Sequence, residues 1–219
     1  MDNNTVKRIT LFCGHYGSGK TNIAVNYALH LRKNGFPVSI ADIDIVNPYF
    51  RTKDSLSELE DAGVEVIALP FANTSVDLPS MPSEVYGLVQ SREKYVIMDI
   101  GGDDRGAYAL GRFAPAIADE NNYDMFFVAN FYRPLTRTAS EALEVLREIE
   151  CASHLKFTGI VNNSNIGRET TAEDVLKTYA EAQELSRISG LPLRFTTAEE
   201  GIAQKLPEVF SLKLQSKIF

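Results

Sequence analysis

The chain has 219 residues, 44% of them hydrophobic and 23% charged, proportions that suit one domain with its own core and exclude a disordered or collagen-like chain. Asp and Glu number 29 against 22 Lys and Arg, for a net charge of −7, and the basic residues are scattered. Sequence-independent binding to a phosphate backbone needs a clustered basic surface, so nucleic acid is not an expected partner. Two cysteines, Cys13 and Cys151, lie far apart with no CxxC or Cys/His spacing, which supports neither a disulfide scaffold nor a structural zinc site.

The opening "MDNNTVKRITLF" lacks the basic and apolar regions of a secretory leader, and no apolar run reaches membrane-spanning length. The expectation is a cytoplasmic protein without a membrane role. From there, short apolar runs alternate with helical patterns. "RITLFCG" reads as a strand. "TNIAVNYALHLRKNG" then sets Ile23, Ala24, Tyr27, Ala28 and Leu31 at helical spacing and stops at Gly35, in the position of a C-terminal cap.

"PVSIADID", "VEVIAL", "KYVIMDIGG" and "DMFFVAN" follow as strands. "TRTASEALEVLREIE" is a helix with Ala139, Ala142, Leu143, Leu146 and Ile149 on one face, and "KFTGIVNN" returns to strand. "TAEDVLKTYAEAQELSRISG" reads as one helix ending at Gly190, and "PLRFTT" as the closing strand. Strands buried on both faces and separated by helices define an α/β fold, a mostly parallel central sheet with helices on both faces in three layers, spanning residues 1–219. Pro70, Pro79 and Pro82 make residues 70–84 a long loop, facing either solvent or a substrate or partner.

One motif carries the chemistry. "GHYGSGKT" satisfies GxxxxGK[ST] directly after a predicted strand and before a helix, the context that makes it a P-loop. Glycines let successive N–H groups turn inward around an anion, and the helix N-terminus adds about half a positive charge. The expected contacts with a nucleoside triphosphate run through Gly14, His15, Tyr16, Gly17, Ser18, Gly19, Lys20, Thr21 and Asn22. Lys20 supplies a cation for the β- and γ-phosphates, and the Thr21 hydroxyl a ligand for Mg²⁺.

A metal behind the phosphates needs carboxylates from neighbouring strand tips. Asp99 ends one apolar run, and Gly102 beyond it allows the backbone close to a γ-phosphate. Asp42 and Asp44 alternate in "ADID", so both face one side. One of them supports the metal's water shell while the other orients the attacking water, since phosphoryl transfer asks mainly for positioning and charge neutralisation.

With these motifs in hand the chain resembles the MinD/ParA-type ATPases, of the SIMIBI class of P-loop proteins. The resemblance implies Asp42 and Asp99 at the metal, Asp44 at the water, and a base-contacting asparagine in "GIVNNSN" at Asn163, with Asn162 one position earlier as the alternative. It also implies Thr197, in "TTAEEG", beside the base. GTP-reading relatives carry NKxD, and here the positions three beyond Asn162 and Asn163 are Asn165 and Ile166. ATP is therefore the expected nucleotide.

Where many relatives have an early loop lysine that reaches a partner subunit, this chain has His15, Tyr16 and Gly17. The implied activity is slow, partner-stimulated ATP hydrolysis with Mg²⁺, a switch acting on a protein partner, with a homodimer as one form of assembly. The alternatives are a small-molecule kinase or ATP-dependent ligase resembling dethiobiotin synthetase, its acceptor met by the 70–84 loop with Arg51 and Arg105, and a module that binds ATP without hydrolysing it.

Overall fold

The computed structural model describes residues 6–43, 53–68, 83–102 and 104–214. Eight strands run β1 Ile9–Cys13, β2 Val38–Ile43, β3 Glu65–Ala68, β4 Tyr95–Ile100, β5 Tyr123–Ala129, β6 Gly159–Asn162, β7 Leu193–Glu199 and β8 Val209–Leu212. They form one sheet in the order β3-β2-β4-β1-β5-β6-β7-β8, and every neighbouring pair is parallel. Parallel pairing requires a crossover between strands. The described helices supply these: α1 Lys20–Lys33, α2 Lys53–Asp61, α3 Ser83–Ser91, α4 Asp104–Gly111, α5 Ala114–Glu120, α6 Ala139–Ser153, α7 Ala172–Lys177, α8 Tyr179–Ser189 and α9 Glu200–Ala203.

The predicted three-layer α/β architecture follows from side-chain alternation along buried strands. Ile9, Leu11 and Cys13 of β1 enter one core with Leu110, Phe113, Ala142, Leu146 and Leu185. Phe12 enters the other, beneath Ile23, Tyr27 and Leu31 of α1. Each fully buried Leu, Ile or Phe contributes about 1.5–3 kcal/mol, so the two cores together fix the order of the layers. No helix among the described residues is long and apolar enough to cross a membrane.

Helix α1 stops where the sequence predicts. Phe36 N–H bonds Leu31 O at 3.2 Å and Gly35 N–H bonds Arg32 O at 3.0 Å, a Schellman ending. The helix expected over 171–190 is instead two, α7 and α8, joined at Thr178. The cause is tertiary: Thr178 Oγ1 donates to Val175 O at 2.7 Å and accepts from Asn162 Nδ2 at 3.0 Å, tying the break to the sheet.

Nor does "PLRFTT" close the sheet, since β8 pairs beyond it. Asn26 of α1 holds the end of β8 through both its amide atoms, donating to Lys213 O at 3.1 Å and accepting from Lys213 N at 2.9 Å. Of the predicted 70–84 loop, residues 70–82 lie outside the described residues, and 83 and 84 begin α3.

One buried ion pair fastens the lower end of the sheet. Arg8, just before β1, pairs with Glu120 at the end of α5. It also donates to Val89 O at 2.8 Å and to Leu88 O and Lys94 O at 3.3 Å. Both side chains are nearly inaccessible, and removing one partner leaves an uncompensated charge in the interior. Glu120→Ala is expected to lower the unfolding free energy by about 3–5 kcal/mol in urea titration, and a loss below ~1 kcal/mol, the scale of an exposed pair, contradicts this account.

Candidate functional site

All parallel strands end on the same edge, and the tip of β1 is central to it, between β4 and β5. There the chain leaves Cys13, turns through the glycine-rich loop and enters α1 at Lys20. The loop bends back on itself, with Ser18 N–H bonding His15 O at 3.1 Å. Lys20 is buried, and its ammonium donates to His15 O at 3.2 Å. His15 Nδ1 lies 3.1 Å from Tyr16 O, so the imidazole packs on its own loop.

Helix α1 begins without a side-chain cap and without an acid in its first turn. Its leading N–H groups and the positive end of its dipole therefore favour an anion. The approach is tight. Gly19 has φ of 87°, and a Cβ there would lie 2.3 Å from Asn163 Nδ2, so only glycine fits.

Strand parity brings the predicted metal residues together. Asp42 follows Ile40 and Asp99 follows Ile97 by two positions, which puts both carboxylates on the α1 face of the sheet. They are register partners on β2 and β4, and both are buried. Thr21 Oγ1 donates to Asp99 Oδ2 at 2.5 Å. Two buried carboxylates side by side are costly unless a cation compensates them, so this donor set fits Mg²⁺. Among the described residues no cluster of three or more His, Cys, Asp or Glu could hold a metal by itself.

Asp44 lies outside the described residues. Cys13, at the base of the loop, is fully buried, and burial pushes its thiol well up from the ordinary value. Lys20 opposes that shift and Asp99 adds to it, so both charges lie within reach of Cys13. The thiol is a packed hydrophobe.

Gly102 sits against the loop. A Cβ on it would meet Tyr16 N at 2.7 Å and Lys20 Nζ at 2.8 Å. The segment after β4 thus touches the lysine that would meet a phosphate.

On the other flank the two asparagine candidates separate. Asn162 is consumed internally, its Oδ1 accepting from Ser164 N at 3.2 Å and Ser164 Oγ at 2.6 Å while its Nδ2 bonds Thr178. Asn163 faces the loop, with Nδ2 donating to Ser18 O at 2.7 Å and Oδ1 accepting from Thr197 Oγ1 at 2.5 Å. Thr197 therefore sets the orientation of Asn163. An amide carries two N–H donors, and one remains beyond that to Ser18.

Two oxygens bordering the loop, Ser18 Oγ and Asn22 Oδ1, are buried without a hydrogen-bond partner among the described residues. Buried polar atoms are nearly always paired, so these two fit contact with a polar ligand. The sequence reading passes over Arg133, on the loop between β5 and α6, whose Nε donates to Gly17 O at 3.2 Å. The available signal is positional: it lies just beyond the tip of a strand next to β1, the edge where open α/β sheets take ligands.

No protein-family model and no curated protein matches the sequence. Solved structures do match. FtsY from Mycoplasma mycoides is 16% identical with a TM-score of 0.58, covering 91% of this chain and 62% of that one. Chloroplast FtsY from Physcomitrella patens is 17% identical with a TM-score of 0.59, covering 89% and 59%. The signal recognition particle 54 kDa protein from Aeropyrum pernix, solved in complex with GDP, is 15% identical with a TM-score of 0.54, covering 90% and 42%.

The chain spans about three fifths of the length of the FtsY structures. At these identities the likeness is one of fold. The fold is that of the P-loop NTPases, and these neighbours belong to their SIMIBI class.

Gly19→Ala is expected to cost about 1–3 kcal/mol of stability, through strain at positive φ and displacement of the Asn163 amide. Chemical denaturation measures it, and an unchanged unfolding free energy would show that the loop is not held against Asn163.

Proposed function

We propose that this chain is a magnesium-dependent nucleoside triphosphatase of the MinD/ParA type, working as a nucleotide switch on a protein partner. The observation that carries the reading is the Thr21 to Asp99 hydrogen bond beside buried Lys20, at a helix N-terminus with no side-chain cap. Loop amides and the start of α1 hold the phosphates. Lys20 exchanges the His15 carbonyl for a phosphate oxygen, and Thr21, whose hydroxyl donates its hydrogen bond to Asp99, keeps oxygen lone pairs for a cation. Bound Mg²⁺ neutralises phosphate charge. Asp42 and Asp99 stand behind it, and Asp44 is assigned to orient the water. No covalent help is required of the protein.

Gly102 provides the switch. A γ-phosphate at Lys20 competes with the contact between Gly102 and the loop, and α4, which begins two residues later, packs on α6. A shift at Gly102 therefore reaches the surface, where a partner, a second copy included, can read it. With His15 and Tyr16 in the loop, no lysine is offered to a partner subunit from that position.

ATP is the proposed nucleotide. Ile166, three positions beyond Asn163 where a guanine-reading acid would stand, is apolar and exposed, and Asn165 beside it is neutral and spends its side chain on the loop, with Nδ2 donating to Asn163 O at 2.8 Å and Oδ1 accepting from Gly167 N at 3.2 Å. The neighbours solved with GDP make GTP the comparison to run.

Saturating Mg²⁺-ATP, at one hundred times Kd, is expected to raise stability by about 2.7 kcal/mol, with slow hydrolysis lost in Lys20→Ala. Hydrolysis unchanged by that substitution rejects the reading. Stabilisation by GTP alone would overturn the adenine preference and leave the phosphate site standing.

A further inference from the structure

We propose that Arg133 forms a wall of the nucleobase pocket, its flat guanidinium stacking on the base. This rests on the nucleotide-binding reading and extends it to a residue that the P-loop, the strand-tip carboxylates and the asparagine loop do not include.

The argument begins with two successive carbonyls. Gly17 O accepts from Arg133 Nε at 3.2 Å, and Ser18 O, the next along the chain, accepts from Asn163 Nδ2 at 2.7 Å. The guanidinium and the asparagine amide thus bond adjacent residues of the loop, Gly17 and Ser18, on the stretch that leads into α1. A base held by the second N–H of Asn163 would lie within a residue of the carbonyl that anchors Arg133.

The pair is also held rigid. Asn130, fully buried at the end of β5, accepts at Oδ1 from Tyr132 N at 3.1 Å and Asn165 N at 3.3 Å, and donates from Nδ2 to Asn165 O at 3.2 Å. Ser164 Oγ accepts from Phe131 N at 3.0 Å. The loop bearing Arg133 is thereby laced to the loop bearing Asn163.

Within its own turn Arg133 N bonds Asn130 O at 3.0 Å, and Arg133 O accepts from Thr136 N at 3.3 Å. A surface arginine ordinarily loses entropy when a ligand fixes it. Here the backbone is fixed beforehand, and the side chain is already seated, its guanidinium atoms 3.6–3.9 Å from where a Cβ on Gly17 would lie.

Chemistry selects the base over the phosphates. Among the described residues the one hydrogen bond of this guanidinium goes to a carbonyl of the loop, itself an acceptor, whereas Lys20 and the N–H groups at the start of α1 are the donors suited to the anion. A planar, weakly hydrated cation with an open face stacks on aromatic rings. Such stacking tolerates any base, so it supplies affinity, while the amide of Asn163 supplies orientation.

The test separates base from phosphate. Calorimetric titration, in Mg²⁺, compares ATP, GTP and inorganic tripolyphosphate on the wild type, Arg133→Ala and Arg133→Lys. Arg133→Ala is expected to lose about tenfold in affinity for the preferred nucleoside triphosphate, ~1.4 kcal/mol, with tripolyphosphate affinity unchanged within twofold. Arg133→Lys, which keeps the charge without the flat face, is expected to lose most of the same.

Equal losses on nucleotide and tripolyphosphate assign Arg133 to the phosphates and overturn the proposal. Wild-type nucleotide affinity in either variant also overturns it. The underlying reading fails separately, if Lys20→Ala leaves both nucleotide and tripolyphosphate binding intact. The unfolding midpoint without nucleotide, expected unchanged for an exposed arginine, shows that a loss in affinity is not a loss of fold.

Discussion

The hydrogen bond from Thr21 to Asp99 joins the two halves of the site. Thr21 belongs to the first turn of α1 and Asp99 to the tip of β4, and the 2.5 Å contact between them sets the uncapped helix end against the carboxylate edge of the sheet. Everything else is arranged around that junction. Positive potential from the helix and Lys20 faces the buried carboxylates of Asp42 and Asp99, an arrangement that is expensive in a dry interior and becomes favourable around a metal and its phosphates. The core that clamps α1 to the sheet, with Phe12 beneath Ile23, Tyr27 and Leu31, keeps the junction at a fixed spacing.

The flanks of the junction are held in different ways. On the β5 and β6 side Asn130, Asn162, Ser164 and Asn165 form a closed set of buried or half-buried hydrogen bonds. Satisfied polar networks of this kind hold one geometry, as a recognition pocket demands. On the β4 side the backbone of Gly102 lies against Tyr16 and Lys20 through close packing with no side chain of its own. Such a contact can give way to a competing group, in keeping with the switch role proposed for Gly102.

Much of this was legible in the sequence because its causes are local. GxxxxGK[ST] between a strand and a helix, Asp99 at the end of an apolar run, and the α1 stripe of Ile23, Tyr27 and Leu31 each announce themselves within a dozen residues. What was not legible depends on partners far along the chain. The break at Thr178 is made by Asn162, and β8 exists through β7 and Asn26. Arg133 reaches a carbonyl 116 positions away, and only the strand order brings its loop beside the P-loop. Asn162 and Asn163 differ through partners the sequence does not show, Asn162 bonding Ser164 and Thr178 while Asn163 bonds Ser18 O of the loop.

The loop differs from the lysine-bearing form of the MinD/ParA-type ATPases that the sequence resembles, since His15 turns to its own backbone and Lys20 is the loop's lysine. The central claim is that Thr21 and Asp99 frame a metal-bound triphosphate at the start of α1. It is tested most directly by crystals grown with Mn²⁺ and a non-hydrolysable triphosphate analogue, using the anomalous signal of the metal. The account predicts one strong peak at Thr21 Oγ1, with Asp99 behind it and the phosphates on the first turn of α1. A metal peak away from these residues, or a nucleotide seated elsewhere on the sheet edge, would contradict it.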